Sequence, residues 1–79
     1  MFYVYLLQSI EHPDKIYIGF TEDLRLRLQR HNNGSTAHTA KFRPWKITSY
    51  HAFESEEIAR AFEKYLKSGS GRAFRAKHF

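Results

Sequence analysis

The sequence contains no cysteine, which excludes disulfide bonds and thiolate metal sites and leaves the redox compartment undetermined. It also has no apolar run near the roughly 20 residues that a membrane-spanning helix needs. Its first residues have the composition of a strand, not of a basic and then apolar signal peptide. We therefore expect a cytoplasmic protein that has no membrane partner.

The length of 79 residues predicts one small domain with a thin core. A chain of this size buries only about 60% of the surface that its unfolded form exposes. The sequence has seven Phe, five Tyr and one Trp, and each large ring buries on the order of 150–250 Å². Aromatic side chains must therefore supply much of the core of a single domain over residues 1–79.

Positive charge is concentrated in one part of the chain. The net charge is +5; residues 1–24 carry one Lys against four acidic residues, and residues 25–79 carry twelve Lys and Arg against four. Such an asymmetry is expected of a protein that binds phosphate backbones. A solvated basic face that only aids solubility explains the charge alone equally well.

Local patterns predict an α/β (α+β) fold in the order β-β-α-β-α-α. Residues 2–8 and 15–19 are rich in β-branched and aromatic side chains, and a polar turn separates them, which predicts an antiparallel hairpin. This pairing brings Tyr5 and Tyr17 to neighbouring rungs. Residues 46–53 predict a third strand, so we expect a three-stranded antiparallel sheet flanked by helices.

The first helix is predicted over residues 22–33, with Thr21 as its N-cap and Gly34 at its end. Leu24 and Leu28 form its buried side. A polar loop is predicted to follow over residues 34–45.

The second helix is predicted over residues 56–67, with Ser55 as its N-cap. Gly69 and Gly71 are expected to end it, and residues 72–79 to form a short terminal helix. Glu63 is expected at the edge of the apolar stripe of the second helix rather than at its centre. The predicted stripe consists of Ile58, Ala61, Phe62, Tyr65 and Leu66.

Two tyrosine triplets, Tyr3-Val4-Tyr5 and Tyr17-Ile18-Gly19, precede an Arg and a His on the first predicted helix. Arg27 and His31 are four residues apart and therefore share one face of that helix. None of these features is specific alone, because tyrosines are common in strands and Arg-x-x-x-His pairs are common on helices. Their joint order and spacing indicate a site.

This combination resembles the GIY-YIG nuclease superfamily, in particular its small stand-alone bacterial members. The resemblance covers nearly the whole chain. Two departures stand out: the first triplet begins with Tyr3 where the family name has glycine, and no asparagine follows Asn33, although some relatives carry one beyond the glutamate. Besides the triplets, the matching parts are Asp23-Leu24-x-x-Arg27-x-x-x-His31-Asn32-x-Gly34, Arg43-Pro44-Trp45, Glu63 and the segment of residues 65–72.

The resemblance implies an active site made of Tyr5, Tyr17, Arg27, His31 and Glu63. One tyrosine acts as the general base or positions it, which requires a phenol pKa below its ordinary value of about 10. Arg27 is the cation that lowers this pKa and grips the phosphate. His31 bonds a tyrosine hydroxyl or the phosphate and relays the proton. Glu63 is the metal ligand for Mg²⁺ or Mn²⁺, for which one carboxylate suffices because Mg²⁺ retains much of its water.

Each of these residues also has an ordinary structural explanation. Strand tyrosines mostly pack in the core, and a histidine near the end of a helix is stabilised there by the helix dipole. A glutamate beside Lys64 and Lys67 is usually a charge on a helix surface. Gly19 is expected to end its strand and to let the backbone approach the substrate.

Basic residues on the loop and on the terminal helix are predicted to hold the nucleic-acid backbone. Phe42 or Trp45 could stack on an unpaired base, although Trp45 fits the core better. The predicted nucleic-acid-binding residues are Lys41, Arg43, Lys46, Arg72, Arg75 and Lys77.

We therefore predict a divalent-metal-dependent endonuclease of DNA repair or processing that acts on DNA, with RNA as the alternative substrate. Low sequence specificity is expected, with selectivity coming from DNA structure or from a protein partner, and the chain is expected to be a monomer or weak homodimer. One alternative is a nucleic-acid-binding module whose catalysis is weak or lost. Another is an interaction subunit that docks on a larger repair protein.

Overall fold

The computed structural model describes residues 1–78, so Phe79, the last residue of the predicted terminal helix, lies outside the described residues. No helix among residues 1–78 is both long enough and apolar enough to cross a bilayer. The elements, in chain order, are β1 (Phe2–Ser9), β2 (Ile16–Thr21), α1 (Leu24–Asn32), α2 (Ala37–Ala40), β3 (Trp45–Phe53), α3 (Glu56–Lys67) and α4 (Gly69–His78).

Strand β1 is the centre of an antiparallel sheet with the order β2-β1-β3. Tyr5 pairs with Gly19, and Leu7 pairs with Tyr17. Because side chains alternate along a strand, Tyr5 and Tyr17 lie on the same face of the sheet at adjacent positions. The predicted three-stranded sheet and the neighbouring tyrosines are confirmed.

Both faces of β1 are buried, so the core consists of two clusters separated by the sheet. Val4 and Leu6 belong to the cluster that includes Ala59 and Leu66 of α3. Tyr5 and Leu7 belong to the other cluster, against which Leu24 and Leu28 of α1 pack. A central strand covered on both sides requires apolar residues at consecutive positions, which explains the unbroken apolar run of β1.

Helix α1 begins later than the sequence pattern predicts. Its N-cap is Asp23, whose carboxylate Oδ1 accepts a hydrogen bond from the Leu26 backbone N–H at 3.0 Å. Thr21 instead stabilises the preceding turn, since its hydroxyl accepts from the Asp23 N–H at 3.1 Å. The helix ends at Asn32, and Gly34 follows with a φ of 84°, a conformation that favours glycine.

The segment predicted as a loop contains the short helix α2. Trp45 starts β3 and is only 4% exposed, which places this ring in the core and not at a surface where it could stack on a base. Its indole N–H donates to the Thr39 carbonyl at 2.7 Å. The indole therefore fixes α2 against the sheet.

Helix α3 has the predicted bounds and N-cap, because the Ser55 hydroxyl accepts from the Ile58 N–H at 3.3 Å. Its buried face is rotated from the predicted stripe. Ala59 and Leu66 are fully buried, whereas Ile58 is 58% exposed. The Glu63 side chain is 18% exposed, which agrees with its expected place at the edge of the buried face. Among the other predicted stripe residues, Phe62 is partly buried, and Ala61 and Tyr65 are exposed.

The two glycines after α3 have different roles from those predicted. The break between α3 and α4 is the single residue Ser68, and α4 already begins at Gly69. Gly71 is buried inside α4, where a Cβ would lie 2.6 Å from the Leu66 Cα and 2.7 Å from its carbonyl carbon. Gly71 therefore allows α4 to pack directly on the backbone of α3.

Replacing Gly71 with Ala is expected to lower the free energy of unfolding by about 1–3 kcal/mol, because backbone atoms cannot move aside for the added methyl group. Gly69→Ala is the matched control, since a Cβ at Gly69 would meet nothing within 4 Å. Urea unfolding of both variants measures the difference. Equal midpoints for the two variants would contradict the proposed packing of α4 on α3.

Candidate active site

The Tyr5 hydroxyl is the centre of a buried polar cluster. Tyr5 is 1% exposed, and its oxygen accepts a hydrogen bond from the Arg27 Nε–H at 3.2 Å. The same oxygen lies 2.8 Å from Nε2 of His31. The structure thus brings Arg27 and His31, which share one helix face as predicted, to the Tyr5 hydroxyl.

Gly19 makes room for the Tyr5 ring. These two residues pair directly across β1 and β2, and a Cβ at Gly19 would overlap the phenol ring and its oxygen. Strand β2 continues to Thr21, so the prediction that Gly19 ends its strand is wrong. The glycine is needed for the tyrosine that packs over it.

Tyr17 lies beside this cluster but is only half-buried. Its ring centroid is 6.3 Å from that of Tyr5 and 4.9 Å from that of His31, and Tyr17 contributes, after Tyr5, to the raised pKa of Arg27. Tyr17 also lines a cavity of about 280 Å³. Of the two tyrosines, Tyr17 is therefore the one that a molecule in the cavity can reach.

His31 is fully buried, which contradicts its interpretation as a surface histidine at a helix end. Its Nδ1 lies 2.7 Å from the Thr39 hydroxyl, which in turn lies 3.3 Å from the Thr36 carbonyl oxygen. Sequence reasoning missed Thr39, because one threonine in a polar segment gives no local signal. The contact depends on the position of α2 under α1.

Asn32 is a second residue whose role the sequence did not indicate. Its side-chain oxygen accepts from the Trp45 N–H at 2.6 Å, and its Nδ2 donates to the Trp45 carbonyl at 3.1 Å. These two bonds join the end of α1 to the start of β3. They hold the helix that carries Arg27 and His31 in place over the sheet.

Burial dominates the electrostatics of the cluster. It lowers the pKa of His31 to about 4, with a further contribution from the Arg27 charge, so His31 is neutral at neutral pH. Burial also raises the pKa of Tyr5 to about 12. The hydrogen bond from Arg27 acts in the predicted direction, but it does not outweigh burial, and the charges of Tyr17 and Glu63 add to the increase. The expected lowering of a tyrosine pKa by Arg27 is therefore wrong for Tyr5.

Glu63 lies on α3, and its charge contributes to the raised pKa of Tyr5. Its Oε2 lies 3.1 Å from the Lys67 Nζ, so the position already accommodates a cation. Within residues 1–78, no cluster of three or more His, Cys, Asp or Glu side chains could form a metal cage. A single carboxylate completed by water and phosphate oxygens is a ligand set that a hard divalent cation accepts.

The predicted nucleic-acid-binding residues fall into two groups. Arg72 and Arg75 line the cavity of about 280 Å³ beside Tyr17, together with Lys67. A neighbouring cavity of about 330 Å³ shares these two arginines but has no tyrosine among its described lining residues. Arg75 is anchored, because its Nε–H donates to the Leu66 carbonyl at 3.2 Å.

The remaining basic residues, Lys41, Arg43, Lys46 and Lys77, are exposed. They are not among the described residues that line the cavity beside Tyr17. The Lys41 ammonium lies 5.4 Å from the centroid of the Phe42 ring. The structure therefore brings two of the six predicted residues to the cavity that Tyr17 lines.

Comparison with known proteins identifies one family. The GIY-YIG catalytic domain matches residues 1–77. A UPF0213 protein of Streptococcus pyogenes is 33% identical over 72 residues, which cover 90% of this chain and 76% of that protein. The structure-specific endonuclease subunit SLX1 of Debaryomyces hansenii is 42% identical over 71 residues, which cover 81% of this chain and 20% of that protein.

The fold also matches a solved structure. The solution NMR structure of a UPF0213 protein from Bacillus halodurans aligns with a TM-score of 0.56 and 28% identity, covering 98% of this chain and 84% of that one. This chain spans most of the length of its UPF0213 relatives, but only about a fifth of the yeast SLX1 subunit. The similarity to SLX1 is therefore a similarity to one part of that protein.

The lowered pKa of His31 predicts how stability depends on pH. An unfolded histidine titrates near pH 6.5, whereas buried His31 titrates at about 4. Between these values the unfolded chain binds the extra proton. The contribution of His31 is therefore fully present above about pH 6.5, and the free energy of unfolding falls as the pH falls toward 4.

Urea unfolding of the wild type and of His31→Gln over this range measures the effect. The wild type is expected to show the steeper pH dependence, with a difference in slope of up to about 1.4 kcal/mol per pH unit. Both proteins share all other titrating groups, so the comparison isolates His31. Parallel curves would show that His31 does not titrate below its unfolded value.

Proposed function

The chain belongs to the GIY-YIG family of nuclease catalytic domains, and from this membership we propose that it is an endonuclease that hydrolyses DNA phosphodiester bonds with a divalent metal. The observation that supports this most directly is the convergence of Arg27 and His31 on the buried Tyr5 hydroxyl. Tyr17 and Glu63 adjoin this cluster. These are the groups that an activated water and a charged phosphate require.

Tyr17 is the residue that we assign to the attacking water, because it is among the residues that line the cavity while Tyr5 is buried. Tyr17 orients the water as the water oxygen bonds to phosphorus, and the proton that the water loses passes to the leaving oxygen. The bond from phosphorus to the leaving oxygen then breaks. Arg27 can bind a nonbridging phosphate oxygen with its remaining N–H groups.

Tyr5 and His31 hold Arg27 in position for this step. The Tyr5 oxygen accepts the Arg27 Nε–H, so the guanidinium is anchored at one edge and its other edge is available to the substrate. His31 is neutral and lies next to the Tyr5 hydroxyl, where it can receive that hydrogen. Tyr5 and His31 are both neutral, so they orient the Arg27 guanidinium without adding a charge of their own.

GIY-YIG nucleases generally depend on a divalent metal, and Glu63 is the residue that would hold Mg²⁺ or Mn²⁺ here. Such an ion supplies Lewis-acid stabilisation of the charge on the leaving oxygen. Lys67 forms an ion pair with the same carboxylate. Its ammonium would have to move aside when a metal is bound.

The substrate that fits the site best is DNA whose backbone follows the cavity lined by Lys67, Arg72 and Arg75. These are phosphate contacts, which position a duplex without reading its sequence. We therefore propose low sequence specificity, with selectivity arising from DNA structure or from a protein partner, in DNA repair or processing in the cytoplasm. The SLX1 relatives, which are named as subunits of structure-specific endonucleases, support this proposal.

A nucleic-acid-binding module with weak catalysis is the second candidate. Two observations favour it: the pKa of Tyr5 is raised to about 12, and Glu63 is already paired with Lys67. Both observations describe a resting state in which Tyr5 keeps its proton and Glu63 keeps Lys67 as its counterion. Binding without cutting is the result that separates the two candidates.

The proposed activity is tested by incubating the wild type, Glu63→Gln and Glu57→Gln with labelled duplex, flap, branched and single-stranded DNA in Mg²⁺, Mn²⁺ or EDTA. Glu57 is an exposed glutamate in the first turn of the same helix and serves as the matched control. We expect metal-dependent cleavage by the wild type and Glu57→Gln, and a loss of at least about 100-fold in Glu63→Gln.

Cleavage that survives EDTA or Glu63→Gln would contradict the metal role of this carboxylate. Salt-sensitive DNA binding with no cleavage in any condition would favour the binding module. A cut pattern defined by sequence on random duplex DNA would contradict the proposed low specificity.

A further inference from the structure

Thr39 contacts His31 on the side away from Tyr5. The Thr39 hydroxyl lies 2.7 Å from Nδ1 of His31, and both residues have no exposed surface. Thr39 is itself held in place, because its carbonyl accepts the Trp45 indole N–H at 2.7 Å and its N–H donates to the Thr36 carbonyl at 3.1 Å. A buried hydroxyl in a fixed position therefore faces one of the two ring nitrogens.

From this geometry we propose that Thr39 is a positioning residue that fixes His31 in the neutral tautomer with its hydrogen on Nδ1, so that Nε2 accepts the Tyr5 hydroxyl hydrogen. In this arrangement each hydrogen has an acceptor. Tyr5 donates to His31, His31 donates to Thr39, and the Thr39 hydroxyl donates to the Thr36 carbonyl 3.3 Å away.

The other tautomer leaves a buried hydrogen without an acceptor. If His31 carried its hydrogen on Nε2, the Tyr5 oxygen would receive hydrogens from both His31 and Arg27. The Tyr5 hydroxyl hydrogen would then have no acceptor within residues 1–78. An unpaired polar group in a buried site costs roughly 1–3 kcal/mol, which favours the Nδ1–H form.

The tautomer matters for the proposed function because it decides which group donates and which accepts in each hydrogen bond from Tyr5 to Thr36. With Nε2 as an acceptor, the Tyr5 hydroxyl donates to His31 and keeps its lone pairs for the Arg27 Nε–H. The guanidinium is then held in one orientation. This consequence for cleavage rests on the proposed nuclease function, whereas the tautomer itself does not.

Nitrogen-15 NMR of histidine-labelled protein near pH 7 tests the tautomer directly, because protonated and unprotonated ring nitrogens have different chemical shifts. The variants are Thr39→Ser, which keeps the hydroxyl, and Thr39→Val, which replaces it with a methyl group of similar size. Thr36→Val is the matched control, since Thr36 forms its described hydrogen bonds to Thr39 through its backbone carbonyl, which the substitution keeps.

We expect an Nδ1–H His31 in the wild type, Thr39→Ser and Thr36→Val, and a shift toward the Nε2–H form or a mixture in Thr39→Val. Cleavage of branched DNA by Thr39→Val is expected to fall in kcat by about 10–100-fold, the loss that follows removal of a partner that orients a histidine. Thr39→Ser is expected to restore the wild-type rate.

An Nε2–H His31 in the wild type would overturn the proposal, and this result does not depend on the folding of any variant. An unchanged tautomer in folded Thr39→Val would overturn it as well. If the tautomer responds as expected but the wild type does not cleave DNA, the positioning role of Thr39 stands and the proposed nuclease function fails.

Discussion

The hydrogen bonds at the buried Tyr5 hydroxyl are the interaction on which the rest of the site depends. This oxygen joins the central strand to Arg27 and His31 of α1. The glycine opposite in β2 leaves room for the ring, and α2 closes the cluster from the far side of His31. A polar group this deeply buried must be fully paired, so the sheet and α1 are constrained to meet at the Tyr5 oxygen, while α2 is constrained to meet the other ring nitrogen of His31.

Burial also determines the resting state of the site. It keeps the proton on Tyr5 and keeps His31 neutral, and the nearby Arg27 opposes the first effect and adds to the second. In this resting state the Glu63 carboxylate forms an ion pair with the Lys67 ammonium. Tyr5 and His31 are thus neutral and hydrogen-bonded at rest, with the charged Arg27 beside them. A phosphate or a cation that enters the site would change the electrostatic environment of all three groups. Tyr17, at the edge of the cavity, is the tyrosine that a substrate meets first.

The sequence predicted those parts of the site that depend on local periodicity. A four-residue spacing places Arg27 and His31 on one helix face, and the alternation of strands places Tyr5 beside Tyr17. The sequence did not predict the contact between Thr39 and His31, because these residues approach each other only once α2 packs under α1. The rotation of α3 was missed for a similar reason: the choice between Ile58 and Ala59 as the buried residue is made by the sheet, not by the helix.

The most direct test of this account is to remove the single oxygen of Tyr5. Cleavage of branched DNA by Tyr5→Phe is compared with that by Tyr3→Phe, a half-buried tyrosine of the same strand that packs against Tyr50, with circular dichroism to verify folding. The account predicts that Tyr5→Phe folds but loses at least about 100-fold in rate, while Tyr3→Phe retains the wild-type rate. A folded Tyr5→Phe that cleaves as fast as the wild type would contradict the account.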